Sequence, residues 1–204
     1  MSSLTAIVTS FNRPEELKVC LGSLCNQRKS SNRDESLYAT IIVTDNTASP
    51  LNHIIENICY DYDVKYVYTN TTDCYTAAEM VIDHVTTDFI CFPSDDNYYV
   101  PEFAYRMLKY ADTYGCDFVY CDMLYDPRYY GSWTGKYTVV DCKPKVNYID
   151  KGGFIIRKQL FESLGGFPNK PHNPRSAADG QLAELVVKCG AKVGKVQEIL
   201  FFHG

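Results

Sequence analysis

Short apolar runs alternate with helix-patterned stretches through the first hundred residues, and this alternation limits the fold more than any other feature of the chain. Residues 5–11, 40–45, 64–69 and 88–92 read as strands. Between them lie a helix from about Arg13, a helix striped by Leu51, Ile54, Ile55 and Ile58, and a helix around residues 75–85. In the first helix Leu17, Cys20, Leu21 and Leu24 fall at the i, i+3, i+4, i+7 spacing of one buried face. Pro14 suits its first turn, and Glu15 and Glu16 complement its dipole. Such alternation packs as a mostly parallel sheet covered by helices on both faces, so an α/β three-layer sandwich is expected.

Farther on, the pattern predicts a helix from Pro101 to Tyr114 ended by Gly115, then strands at 117–124, 138–142 and 153–157. A short helix at 158–164 and a last one at 179–189 follow. Residues 28–37, 125–137 and 169–176 read as loops; the second carries Trp133 and the pair Tyr129-Tyr130. Nothing in the pattern divides residues 1–204 into independent domains. One domain is expected over 1–204.

A chain of 204 residues that is 46% hydrophobic can bury one well-formed core. No apolar run approaches a membrane span, and no basic-then-apolar leader opens the chain, so neither a transmembrane segment nor a secretory signal is expected. Nine cysteines without Cys-x-x-Cys spacing, several on apolar faces (Cys20, Cys91, Cys189), read as reduced buried thiols in a cytoplasmic setting. The net charge of −5 argues against a general nucleic-acid binder. Acids outnumber bases 13 to 3 over residues 61–127, and bases outnumber acids 9 to 3 over 128–175, which is either two solvated faces or a metal-holding half set against a basic acceptor half.

The acids fall at places where a parallel sheet meets its ligands. The run Phe89-Ile90-Cys91-Phe92-Pro93-Ser94 breaks into Asp95-Asp96-Asn97 at a strand end. Adjacent carboxylates repel, so they are commonly held by a cation or by donors on a ligand. Oxygen ligands of this kind suit Mg²⁺ or Mn²⁺, which keep open positions for phosphates; the same three residues are also good turn formers. Asp45 ends the second strand, as a ligand or as the cap of Asp45-Asn46-Thr47. Asp179 opens the last helix, as a base or as an N-cap.

Taken in order, the segments Thr5–Pro14, Thr40–Thr47, Phe89–Asn97, Gly152-Gly153, Leu164–Phe167, Ala178–Leu182 and Ile199–Gly204 resemble a GT-A glycosyltransferase of the family 2 type over nearly the whole chain. The resemblance implies an inverting, metal-dependent transfer of a hexosyl or hexosaminyl unit from a nucleotide sugar, with a UDP-sugar the expected donor, to a glycan, lipid-linked or protein hydroxyl. It also implies that residues 1–100 are a nucleotide-binding half and 101–204 an acceptor-binding half. Thr9, Phe11 and Arg13 match where the family seats the nucleotide, and Asp45 the acid on the base or ribose. Asp95 then lies nearer the ribose, and Asp96 is the metal ligand. Gly152 and Gly153 match a segment where bare backbone approaches the donor sugar. Asp179 matches the catalytic base, and His203 a histidine that joins the metal. Two positions depart from the pattern: Ser94 and Ala178 stand where acids are usual. They keep open a non-catalytic sugar- or protein-binding module. A sugar nucleotidyltransferase would want glycine after the first strand, which Ser10–Pro14 lacks.

Overall fold

The structure, a computed structural model, describes residues 1–27, 38–71, 73–125, 137–168 and 177–204. The expected loops at 28–37, around Trp133 and Tyr129-Tyr130, and at 169–176 lie outside the described residues. The expected α/β alternation is present: β1 (Leu4–Ser10), α1 (Pro14–Cys25), β2 (Tyr38–Asp45), α2 (Leu51–Asp61), β3 (Lys65–Tyr68), α3 (Cys74–Glu79) and β4 (Phe89–Cys91). The helix expected over 75–85 is shorter. Asp73 caps α3 by accepting from the N–H groups of Tyr75 and Thr76, and the chain re-forms as a separate 3-10 turn at Ile82–His84.

The second half contributes β5 (Asn97–Tyr99), α4 (Phe103–Tyr114), β6 (Phe118–Tyr125), β7 (Thr138–Val140), β8 (Phe154–Arg157), α5 (Lys158–Ser163), α6 (Ala178–Lys188) and β9 (Val193–His203). Gly115 ends α4 in the left-handed conformation, at φ 63°. Strands β5 and β9 were not expected from the sequence. They pair antiparallel, with Asn97 opposite His203.

The sheet runs β3-β2-β1-β4-β8-β6-β9-β5, with β7 beside β6. Strands β3, β2, β1, β4, β6 and β9 share one direction, and β8, β5 and β7 oppose it. Strand alternation divides the core into two layers. Leu4, Ala6 and Val8 of β1 pack with Leu17, Leu21, Ile55 and Met107 on one face. Ile7, Ile90 and Phe92 pack with Tyr75, Phe161, Leu182 and Val186 on the other. All seven residues of β1 are buried, as expected for a strand covered on both faces. Among the described residues no helix is long and apolar enough to cross a membrane.

The connections place the site. From β1 the chain steps outward through β2 to β3, then returns to lay β4 on the other side of β1. The reversal opens a crevice at the carboxyl ends of β1 and β4, where ligands of open α/β sheets bind. Residues 10–13 and 94–97 form its walls.

Candidate active site at the strand ends

Backbone pairing continues past β1 and β4. The Thr9 N–H donates to the Pro93 carbonyl at 3.0 Å, and the Asp95 N–H donates to the Thr9 carbonyl at 3.1 Å. This carries Asp95 under the first loop, where its carboxylate accepts from the Phe11 N–H at 3.0 Å. Asp95 is only 4% exposed. Burial pushes its carboxyl up to about 6, against the Phe11 N–H, and neighbouring Asp96 pushes the same way. The Arg13 guanidinium bridges both acids, 3.5 Å from Asp95 and closer to Asp96. Arg13 is thus tied to the acid pair, while Phe11 remains 54% exposed beside it.

Asn97 links the acid pair to the last strand. Its amide nitrogen lies 3.4 Å from an Asp96 oxygen and 3.2 Å from His203 Nδ1, and its carbonyl oxygen accepts from the Ser94 N–H at 2.9 Å. His203 stacks on Tyr125, ring centroids 5.5 Å apart, and its Nδ1 lies 3.7 Å from an Asp150 oxygen. The β9 pairing that the sequence did not reveal is what brings His203 to Asp96. A crevice of about 360 Å³ beside them is lined in part by Asp96, Asn97, Tyr98, Phe202 and His203.

The glycine pair, expected where bare backbone meets the donor, is packed against protein on the side where a Cβ would stand. A Cβ on Gly152 would stand 2.4 Å from the Asn97 side-chain oxygen and 2.8 Å from the Tyr99 hydroxyl; one on Gly153 would stand 2.4 Å from the Phe201 ring. What the bare backbone admits is the support of Asn97. Gly152→Ala is therefore expected to displace Asn97, destabilise the fold by about 1–3 kcal/mol and weaken nucleotide binding, read by a thermal melt beside calorimetry. Unchanged values in both would show that Asn97 does not depend on this packing.

Asp45, expected on the base or ribose, ends β2. It is fully buried, and its carboxylate accepts from the Thr47 N–H at 3.0 Å and the Tyr66 hydroxyl at 3.1 Å. Its role in the structure is to shape the turn after β2. The surface it shapes is a pocket of about 380 Å³ lined by Phe11, Asn46, Thr69, Asn70 and Thr71.

Asp179 opens α6 and accepts from the N–H of its own neighbour Gly180 at 2.8 Å. Its carboxyl is pushed up to about 6 by burial and by the nearby Asp150 carboxylate, against the Gly180 N–H and the field of Lys151. α6 is not capped by Asp179 in the usual sense: its N-cap residue is Ala177, with no side-chain cap bond. The sequence reading missed Asp150 and Lys151, and gave Asn97, though placed beside the acid pair, no role of its own. Asp150 had a signal, since its carboxylate accepts from Gly152 N–H at 2.8 Å and so starts the 3-10 turn at Lys151–Gly153.

The two raised carboxyls carry a stability consequence. Each binds its proton more tightly in the folded chain than in the unfolded one, where an aspartate titrates near ~3.9. The folded state is therefore favoured below about 4, and that contribution is lost as pH rises through about 6. Asp88, lowered mainly by the Ser3 N–H and hydroxyl, acts oppositely, losing its contribution as pH falls below about 4. The melting temperature of the wild-type chain is expected to fall between pH 4.5 and 7 relative to Asp95→Asn. Parallel curves for the two proteins would refute the assignment.

Among the described residues no group of three or more His, Cys, Asp or Glu side chains forms a metal cage. Mg²⁺ and Mn²⁺ at phosphate sites take one or two protein ligands, with phosphate and water completing the shell. Asp96 and His203, joined through Asn97, offer an oxygen and a nitrogen of that kind. The donor set fits such a site.

The chain matches the family model described as glycosyl transferase family 2 over residues 5–168. No curated protein sequence matches it. Among solved structures, S. aureus TarS is similar at 14% identity and a TM-score of 0.73, covering 98% of this chain and 36% of that one. The 1–349 segment of TarS in complex with UDP-GlcNAc has the same identity and TM-score, with 98% and 58% covered. A mannosyltransferase from Pyrobaculum calidifontis, in complex with GDP-Man and Mn²⁺, is 16% identical with a TM-score of 0.74, covering 99% of this chain and 56% of that one. The chain thus spans less than two thirds of the length of these structures.

Proposed function

The chain belongs to glycosyl transferase family 2, and from that premise we propose that it moves a hexosyl or hexosaminyl unit from a nucleoside-diphosphate sugar to a hydroxyl acceptor with inversion. The observation that carries this reading is the unbroken run of contacts Arg13–Asp96–Asn97–His203–Asp150 at the strand ends. Asp150 in turn acts on the carboxyl of Asp179.

In this reading the nucleoside lies in the pocket of Phe11, Asn46 and Thr69–Thr71, with the exposed Phe11 ring offered to the base. Arg13 turns from the acid pair toward the diphosphate, a bidentate cation suited to phosphate. Asp96 and His203 would hold Mn²⁺ or Mg²⁺, which would supply Lewis-acid stabilisation of the charge on the diphosphate. Asp179 accepts the proton of the acceptor hydroxyl as its oxygen bonds to the anomeric carbon and the bond to the diphosphate oxygen breaks. A carboxyl raised to about 6 is ionised at neutral pH yet basic enough for this task. UDP-GlcNAc with TarS and GDP-Man with Mn²⁺ in the mannosyltransferase support a nucleotide-sugar donor; a UDP-sugar is favoured here. The acceptor is a glycan, lipid-linked or protein hydroxyl, met by residues 101–204, in the cytoplasm.

A non-catalytic binding module is the alternative favoured by Ser94 and Ala178. Against it, the nearby Asp150 carboxylate and burial both raise the carboxyl of Asp179, which makes it the stronger base. Release of nucleoside diphosphate from a panel of nucleotide sugars, with and without Mn²⁺, tests the reading. Binding without any Mn²⁺-dependent release or transfer would establish the module instead. Product anomeric configuration by NMR checks inversion.

A further inference from the structure

Gly180 follows Asp179 in the first turn of α6, and its bare backbone admits another segment of the chain. A Cβ there would stand 2.5 Å from Val146 Cα, 2.8 Å from Val146 N and 3.2 Å from the Lys145 carbonyl carbon. The Val146 N–H also donates to the Glu184 carboxylate, one turn along the same helix, at 3.0 Å. Residues 143–148 are thereby laid against the neighbour of the candidate base. The segment closes on itself: the Lys143 N–H donates to the Tyr148 carbonyl at 2.9 Å, and the Tyr148 N–H to the Lys145 carbonyl at 3.1 Å. Two residues past Tyr148 stands Asp150, whose carboxylate lies 3.7 Å from His203 Nδ1.

What this anchored loop presents is positive charge. Lys143, Lys145 and Tyr148 are exposed, and the two ammoniums lie 5.7 and 4.1 Å from the centroid of the Tyr148 ring. A cation held on an aromatic ring keeps a long side chain in place. Lys143 meets Asp141 only at 3.9 Å, and Asp141 is already paired with Lys195. Lys145 has no carboxylate at ion-pair distance among the described residues. Two ammoniums gathered on one ring repel each other, and an anion close to both relieves that repulsion.

We propose that Lys143, Lys145 and Tyr148 form a subsite for an acceptor that carries phosphate beside its hydroxyl. The proposal rests on the transferase reading and narrows its acceptor. A phosphate here takes charge-assisted hydrogen bonds from both ammoniums. The contact of Lys145 and Val146 with Gly180 sets that phosphate beside the start of α6, where Asp179 stands. A neutral acceptor would leave both charges unanswered. The phosphate belongs either to a soluble ester or to a lipid carrier, and the loop reads the same group in each.

The probe is glycerol 3-phosphate, with glycerol as its neutral control, added to the chain saturated with UDP and Mn²⁺ so that the diphosphate position is filled. Lysines labelled with ¹³C at Cε report on the loop by NMR, with Lys143→Ala and Lys145→Ala identifying the two signals. Both signals are expected to move with the phosphate and not with glycerol. Lys143→Ala/Lys145→Ala should weaken phosphate binding about tenfold, and Lys143→Arg/Lys145→Arg should retain it. UDP affinity should be the same in all of them. Phosphatidylcholine vesicles with and without phosphatidic acid form the second arm. Retention that needs both the phosphatidic acid and the two lysines assigns the phosphate to a lipid carrier; binding of the soluble ester alone assigns it to a soluble acceptor. Lysine signals that stay put with both sources would overturn the proposal, as would equal affinity in wild type and the double alanine variant. Failure of the chain to bind UDP would instead sink the transferase reading, and the lysine signals would still decide whether the loop takes phosphate.

Discussion

Asp179→Asn is expected to lower the rate of sugar transfer by about a hundred- to ten-thousand-fold, the usual contribution of a positioned general base. The amide is nearly isosteric and can still accept from the Gly180 N–H, so the start of α6 should keep its geometry. It cannot take a proton from the acceptor. Donor affinity should therefore hold while kcat and kcat/KM fall together, the pattern of an interaction made only in the transition state. Stability gives an independent reading. Burial opposes ionisation of this carboxyl, so removing the charge should leave the melting temperature at pH 7 equal or higher. A structural cap would behave the other way, losing stability and rate together. Rates at saturating donor beside a thermal melt decide between them, and a stable variant with near-normal rate would remove Asp179 from the mechanism.

The first half of the fold was legible because its strands are buried on both faces and read as unbroken apolar runs. Ala6-Ile7-Val8 feeds both core layers, and no other element satisfies that pattern in so few residues. β9 was hidden for the opposite reason. Its burial alternates at Val193–Val196, lapses over Gln197–Ile199 and resumes at Leu200, and its register against β6 shifts at Cys121 and Asp122. Neither a strand nor a helix period survives such a break. With β9 unseen, the partners of His203 could not be named, although its placement near Asp96 was expected from the resemblance.

Among the site residues, strand-end position located Asp45, Asp95 and Asp96 but did not orient their side chains. Tyr66, on the neighbouring strand, takes one oxygen of Asp45 and the turn takes the other. That is a tertiary choice with no local signature. Gly152 was legible as a close approach, but what approaches is Asn97. Lys151 was invisible for a general reason: a lysine in a polar stretch reads as solvated, and only packing against Thr9, Phe92 and Pro93 buries it.

Asp96→Ala is expected to abolish detectable transfer and to weaken nucleoside-diphosphate binding more than nucleoside binding. Two effects combine in that substitution, and they can be separated. Loss of the carboxylate takes the oxygen ligand from the Asp96–His203 pair, so any affinity that depends on Mn²⁺ should disappear. Loss of the same carboxylate also releases Arg13 from its shorter ion pair, leaving it on Asp95 at 3.5 Å. A freed guanidinium favours phosphate by itself, so metal-free diphosphate affinity should stay level or rise in the variant. Calorimetry with the nucleoside and its diphosphate, each with and without Mn²⁺, gives the four values required. A pocket formed by Phe11, Asn46 and Thr69–Thr71 predicts an unchanged nucleoside value, because none of those side chains hydrogen-bonds to Asp96 in the structure. Full Mn²⁺-dependent affinity in the variant would show that the cation is held elsewhere. Equal losses for nucleoside and diphosphate would instead mean that the Arg13–Asp96 pair holds the first loop in place, and that the acid acts on the fold before it acts on the metal.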